Sequence, residues 1–251
     1  MTIRSTGTMH KPKTPKPKSP APVDESGASE PRGARRKRET RARLLDAALR
    51  LMSEKGMEGV AINEITEAAD VGFGSFYNHF DSKDAIYAAL MDDAFEGFAD
   101  SLDRLVESVT DPAEIISISV RHTVLRALES PVWGRFVIRQ GLSADSLTRG
   151  LGRRLLRDIQ RGIDAGRFKT NDPMMTFIAA GGAVLGAISA ALPPRHADAA
   201  NNTLIRRLGF EDGEVPERTA AVILRILGLS ATTADAVARR ALPQLTDPTN
   251  G

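Results

Sequence analysis

The sequence predicts an all-α protein. Apolar residues recur at three- and four-residue steps along most of the chain, and no segment of useful length alternates with period two. The 251 residues also contain no internal repeat, so the helices form ordinary domains rather than a solenoid.

Residues 1–35 are rich in Lys, Pro, Ser and Gly and nearly free of large apolar side chains. Such a segment cannot bury enough surface to offset its ordering entropy, so it reads as a disordered basic arm. Lys11–Pro20 alternates Pro with Lys and favours extended backbone. No apolar stretch follows this basic start, so a signal peptide is not expected.

From about Arg38 a helical pattern begins, with Leu44, Leu45, Ala48, Leu51 and Met52 on one face and Gly56 as its stop. Two short helices fit Ile62–Ala69 and Gly74–Phe80. Asp81 or Ser82 caps a long fourth helix whose apolar face carries Ile86, Leu90, Phe95, Phe98, Leu102 and Leu105. It should run to about Val109, roughly 27 residues or ~40 Å. Further helices are expected at about 113–129, 132–140, 145–165, 173–192, 216–228 and 232–242. The apolar run Thr176–Leu192 has 17 residues dominated by Ala and Gly, short of the ~20 needed to span a bilayer, and reads as a buried helix.

Charge is unevenly placed. Residues 1–43 hold 12 Lys and Arg against 4 Asp and Glu, a net +8, whereas the remainder holds 22 against 28, a net −6. A basic end on an acidic body suits a polyanionic partner, although a solubilising tail has the same composition. With no cysteine, disulfides and thiolate metal sites are excluded. No P-loop, dinucleotide-binding glycine pattern or HExxH appears, and four scattered histidines do not assemble a catalytic or metal site. Neither an enzyme, a cofactor nor a metal is expected.

The informative stretch runs from Ala61 to Phe80. Ile62, Ile65 and Ala69 give its first helix an inward face, and the small Ala68 and Ala69 allow a second helix to cross closely. Asp70-Val71-Gly72 supplies a tight turn with one apolar plug. Phe76 and Phe80, four apart, anchor the second helix, which leaves Ser75, Tyr77, Asn78 and His79 pointing outward. A short helix that holds hydrogen-bonding side chains away from its core suits the DNA major groove. Gly72 and Gly74 let backbone N–H groups approach phosphates, aided by the helix dipole.

The chain here resembles the tetracycline-repressor family over about residues 38–95. The resemblance rests on Leu-Leu-Asp-Ala-Ala-x-x-Leu-Met-x-x-x-Gly at 44–56 and Glu-Ile-x-x-Ala-Ala-x-Val-Gly-x-Gly-Ser-Phe-Tyr-x-His-Phe-x-Ser-Lys-Asp-x-Ile at 64–86. It implies a helix-turn-helix DNA-binding domain over 36–96, joined by the long helix to a helical effector-binding and dimerisation domain over 97–245. It also implies a homodimeric cytoplasmic repressor, released from a palindromic double-stranded DNA operator by a small-molecule effector, with no membrane partner. By the same resemblance Gly72, Phe73, Gly74 and Ser75 would approach bases, and Tyr77, His79 and Lys83 would bind phosphates. Tyr77 also has a plain reading as packing on the first helix, and His79 and Lys83 as surface groups. Asn78 is placed equally for a base edge or for solvent. Arg38 and Arg41 would reach phosphates or the minor groove from the arm. A non-specific architectural DNA-binding protein that relies on the arm is the alternative.

Four positions depart from the family pattern, one of them Thr66, where Ala is commoner. Ala61 stands where a capping Thr is usual, at a cost of about 1 kcal/mol. Asp70 replaces the turn Gly, and Asp tolerates a left-handed backbone better than most residues. Phe73 is bulky and apolar where a base is to be met, which suggests contact with a thymine methyl.

The rest of the chain carries no motif that names a ligand. Phe95, Phe98, His122, Trp133, Phe136, Met175 and Phe177 are candidates to line a cavity, against a plain reading as core. His122 is read as a satisfied, partly buried group rather than a metal ligand. Arg135 and Arg139 suit either an anionic effector or solvent. Arg149, Arg153, Arg154, Arg157 and Arg161 surround the row Leu147, Leu151, Leu155, Ile159 and Ile163 and are read as an exposed helix face. Gly182 and Gly186 permit close helix contact. The 173–192 helix and the 216–228 helix, with Ala221, Val222, Ile223, Ile226 and Leu227, are the expected dimer interface, separated by a polar, mobile His196–Gly213 linker.

Overall fold

The computed structural model describes residues 1–2, 31–141, 149–193 and 213–245. Expectations for the arm before Pro31, for residues 145–148 and for nearly all of the His196–Gly213 linker lie outside the described residues. Among the described residues every regular element is helical. They are α1 (Arg32–Lys55), α2 (Ile62–Ala68), α3 (Phe73–Tyr77), α4 (Lys83–Met91), a π-helical turn (Asp92–Gly97), α5 (Phe98–Leu105), α6 (Pro112–Glu129), α7 (Pro131–Gln140), α8 (Gly150–Asp164), α9 (Pro173–Ala191), α10 (Val215–Ile226) and α11 (Ala231–Ala238).

Helix α1 starts at Arg32, earlier than the apolar pattern indicates, so residues 32–35 are helical rather than part of a disordered arm. Its first two turns are wholly exposed and carry no apolar stripe to reveal them. An Arg35–Glu39 ion pair one turn apart supports the segment. The helix ends at Gly56, whose φ of 77° only glycine adopts readily.

Ser82, not Asp81, caps α4, its hydroxyl accepting the Ala85 N–H at 3.1 Å. The long helix then runs to Leu105, not Val109, and is interrupted by the π-helical turn. A π turn holds one more residue than an α turn does and so rotates the helix beyond it. Glu96, within that turn, shares one face with Asp100 and Asp103, four and then three residues further on.

That acidic face meets Arg154 of α8. The guanidinium bonds Glu96 Oε2 at 2.8 Å, Asp103 Oδ2 at 2.8 Å and Asp100, while Arg157 reaches Asp103 Oδ1 at 2.6 Å and Asp158. Arg154 is therefore only 9% exposed, and Arg157 is half-buried. This corrects the reading of the α8 arginines as a solvated face, which holds only for Arg149, Arg153 and Arg161. Arg154 and Arg157 pair with an acid stripe far away in sequence, and a periodicity within α8 alone carries no sign of it. Glu96 also accepts the Gly150 N–H at 2.7 Å, where a φ of 51° and a close approach to Phe95 both require glycine.

Helix α6 is the centre of the C-terminal domain and packs on α7, α8, α9, α10 and α11. Helix α9 is not buried as expected. Thr176, Phe177, Ala180, Val184 and Ile188 face the core, while Met174, Met175 and Ile178 lie about half exposed. By length and composition it is apolar enough to cross a membrane, but its inner stripe packs on α6, α7, α8 and α10. In and just after α10, Ala221, Ile223 and Leu227 are buried within the chain, and of the apolar residues expected at an interface only Val222 stands well outside.

The two halves meet at α7. Phe136 is fully buried between Phe95, at 5.9 Å between ring centroids, and Tyr87, at 6.5 Å. Phe136→Ala should lower stability by about 3–5 kcal/mol in urea unfolding, because a buried ring is lost and a cavity left.

Acid should weaken the α8 clasp. The Arg154 hydrogen bond, aided by the Gly150 N–H against burial, holds the Glu96 carboxyl below its ordinary value of 4.5. Burial pulls Asp103 upward, but hydrogen bonds from Arg157 and Arg154 outweigh it and keep it below 3.8. Both groups bind fewer protons folded than unfolded, so their stabilisation is complete above these ordinary values and is lost as pH falls below them through the lowered folded values. Arg154→Met should cost about 3 kcal/mol at pH 7. That deficit should shrink as the acids protonate towards pH 3, measured as urea midpoints across the range.

Candidate nucleic-acid interface and ligand cavity

Helix α3 has only five residues and no intrinsic stability, so its position comes from packing. Phe76 and Phe80 are buried, with ring centroids 5.8 Å apart, and sit in one core with Leu44, Ala48, Met52 and Ile65. The turn before it closes through Val71 N–H to Thr66 O at 3.0 Å. Asp70 takes the left-handed backbone expected of it, with φ 52°. At Ala61, Glu64 Oε2 accepts the backbone N–H at 2.9 Å, so one half of a capping box survives without a capping hydroxyl. Ala68, expected beside a closely crossing second helix, is exposed.

With Phe76 pointing inward, Phe73 and Tyr77 point out, 55% and 50% exposed, with their rings edge to face at 5.7 Å. Asn78 is exposed, and Ser75 and His79 are half-buried rather than fully outward. Gly72 has an ordinary extended backbone, φ −65°, and a Cβ at Gly74 would meet nothing within 4 Å. Neither glycine is demanded by the protein's own packing, and their effect is to leave the backbone bare to an approaching surface. The short helix carries little macrodipole, so this bareness outweighs any dipole contribution.

Cations surround this surface. Arg41 lies 4.9 Å over the Phe80 ring, Lys83 opens α4, and Arg38 is exposed on α1. Burial first, then Lys37 and Arg41, hold the His79 imidazole below its ordinary value, so it is neutral at neutral pH. Its Nδ1 is buried without a partner.

A second feature lies in the C-terminal domain, a cavity of about 130 Å³ between the π-helical turn, α6, α7, α8 and α9. Phe95 and Phe177 line it, with Met91, Ile116, Val184 and Leu185. Ile116, Ser119, Val120 and Thr123 form the face that α6 presents to it. The other proposed lining residues sit elsewhere. Phe98 packs edge to face on Trp133 at 5.3 Å, Phe136 lies behind Phe95, and Met175 is exposed. His122 is on another face of α6, where Nε2 lies 2.9 Å from Pro243 O; burial lowers its pKa, partly opposed by that carbonyl. The polar wall, missed in the sequence, includes Arg154, Glu96, Asp103, Asp158 and Thr123. The matched spacings of Glu96, Asp100 and Asp103 with Arg154, Arg157 and Arg161 are the sequence signal that points to it.

Residues 44–90 match the bacterial regulatory proteins of the tetR family, and residues 111–240 match the tetracyclin repressor-like C-terminal domain. The HTH-type transcriptional repressor DhaR of Mycobacterium sp. (strain GP1) is 35% identical over 75 residues, covering 30% of this chain and 36% of that protein. The HTH-type transcriptional repressor KstR of Mycolicibacterium smegmatis is 28% identical over 118 residues, 47% of this chain and 58% of that one. The matches thus span less than two thirds of these relatives. Among solved structures, RolR in complex with resorcinol is 35% identical with a TM-score of 0.59, over 85% of this chain and all of that one. FadR from Bacillus subtilis in complex with stearoyl-CoA, 13% identical with a TM-score of 0.57 over 74% of this chain and 97% of that one, shares the fold. Both domains are accounted for, and the chain belongs to the tetR family of bacterial regulatory proteins.

Proposed function

We propose that this protein is a homodimeric transcriptional repressor that reads a palindromic operator through α3 and releases it when a small single-ring molecule fills the C-terminal cavity. The observation that carries the DNA-reading role is the exposed Phe73–Tyr77 pair, beside bare glycine backbone and fixed from behind by Phe76 and Phe80. Phe73 offers an apolar face to a thymine methyl, Ser75 and Asn78 offer hydrogen bonds, and Tyr77, His79, Lys83, Arg38 and Arg41 offer phosphate contacts. His79, neutral when free, contributes as a hydrogen-bond donor.

The outer face of α9 and α10 supports the homodimer as the seat of a second copy. Met174, Met175, Ile178 and Val222 are exposed there, and Gly182 and Gly186 leave open space that a closely packed helix would use. Two α3 helices then sit about 34–36 Å apart, one turn of DNA. Such a regulator works in the cytoplasm, and nothing in this reading needs a membrane.

The effector class comes from cavity size and wall chemistry. A space of about 130 Å³ is close to the ~150 Å³ apolar cavity that holds benzene. The Arg154 nitrogens are already engaged by Glu96, Asp100 and Asp103, so that guanidinium is not open to a carboxylate ligand. The Asp103 and Asp158 oxygens accept donors, so a neutral ring with hydroxyl groups fits. The similarity to RolR with resorcinol points the same way.

Two measurements test this reading. Tyr77→Ala should weaken binding to the selected operator by about tenfold or more with the helical circular dichroism signal unchanged, a loss of about 1.4 kcal/mol. Unchanged affinity removes Tyr77 from the interface, and uniform coating in a footprint, in place of one palindrome, overturns the operator reading. Resorcinol as a probe should raise the Tm and release operator, the stabilisation reaching about 2.7 kcal/mol at a hundredfold excess over Kd. No shift with any hydroxylated single-ring compound rejects the effector class.

A further inference from the structure

The last turn of α7 touches both functional regions. Val137 and Gly141 line the cavity, and Gly141 is pressed so close to α9 that an added Cβ would lie 2.8 Å from Leu185, itself a lining residue. Between them, Arg139 and Gln140 face the DNA-binding half. Arg139 Nη2 donates to Glu54 O at 2.8 Å, and Gln140 Oε1 accepts the Tyr87 hydroxyl at 2.8 Å. Glu54 lies in the final turn of α1, where backbone carbonyls have no partner inside the helix and a cation is favoured. Tyr87 lies in α4, directly after the helix-turn-helix. Gly56 closes the fit, because an added Cβ there would lie 3.1 Å from Arg139 Nη1. One helical turn therefore has its inner side in the cavity wall and its outer side bonded to both helices that carry α3.

We propose that this turn is the coupling element, with Arg139 and Gln140 as positioning residues that pass cavity occupancy to the DNA-binding domain. The inference rests on the reading that a filled cavity releases DNA, and it adds a route that does not run along the long helix. A helical turn moves as a unit, so displacement of Val137 and Gly141 by a ligand carries Arg139 and Gln140 with it. The Glu54 carbonyl and the Tyr87 hydroxyl then shift α1 and α4 together.

The test needs no known effector, because the cavity can be filled from within. Gly181 lines it and its Cβ position meets nothing within 4 Å, so Gly181→Phe places a ring there, and Val184→Phe fills it from the next turn. Operator affinity is measured with the duplex that the full-length protein selects from a random pool. The proteins compared are wild type, each filled variant, the cut variant Arg139→Met/Gln140→Leu, and the combinations, with circular dichroism and urea midpoints to confirm folding. Filling should weaken wild-type binding about tenfold and change the cut protein by less than about twofold. Arg139→Lys still donates to Glu54 O and should retain the response, which a loss of general packing would not permit. If filling weakens the cut protein as much as wild type, the coupling route is overturned and the repressor reading stands. If no duplex is selected, or filling leaves wild-type affinity unchanged, the repressor reading falls and the inference with it.

Discussion

The clasp of Arg154 on Glu96, Asp100 and Asp103 is the interaction on which the rest of the molecule depends. A guanidinium only 9% exposed is stable when its donors are matched, and here three carboxylates and the Gly150 carbonyl take four of its five N–H groups. Those acids reach it because they lie four and three residues apart on one helix face, and Gly150 admits Phe95 because it has no Cβ. The clasp ties α8 to the helix that leaves the DNA-binding domain, and it forms the polar wall of the cavity.

The reading surface is built in the opposite manner. Five residues of helix are held by two buried rings behind them, and the outward side is left without partners. An exposed aromatic pair leaves apolar surface in water, a cost that contact with another apolar surface relieves. The backbone at Gly72 and Gly74 is bare for the same reason. Rigidity comes from the core and reactivity from the face, so substitutions on the two sides have separable consequences.

Much of this is legible in the sequence where the signal is local. Phe76 and Phe80 at four-residue spacing, Asp70 in a left-handed turn and Ser82 as a cap are each set by neighbours within a few positions. The start of α1 is not, because an exposed basic helix stabilised by an Arg35–Glu39 pair has no apolar period. The cavity is half legible. Phe95 and Phe177 line it as their sequence positions suggest, but aromatic residues of the same helical stripes, such as Phe98 and Phe136, pack on other rings instead. Which face of a stripe opens on empty space depends on the crossing of five elements, and no single helix encodes it. Arg154 escapes a local reading for the same reason, since its partners lie more than fifty residues away.

The small cavity sets the energy scale on which a switch can operate. A single ring with two hydroxyls has about eight heavy atoms, and the best small ligands gain at most about 1.5 kcal/mol per atom. Only the part of that affinity that differs between the two conformations moves the equilibrium, typically about 1–3 kcal/mol. The two bonds at the end of α7 lie in the same range: a neutral hydrogen bond contributes about 0.5–1.5 kcal/mol and one from a charged donor about 1.5–3 kcal/mol. The Arg154 clasp, with three carboxylates on one buried guanidinium, is stronger than such a ligand can break. On the proposed reading, a ring-sized effector therefore acts most readily by displacing the α7 turn against a fixed α8 wall, not by opening the clasp itself.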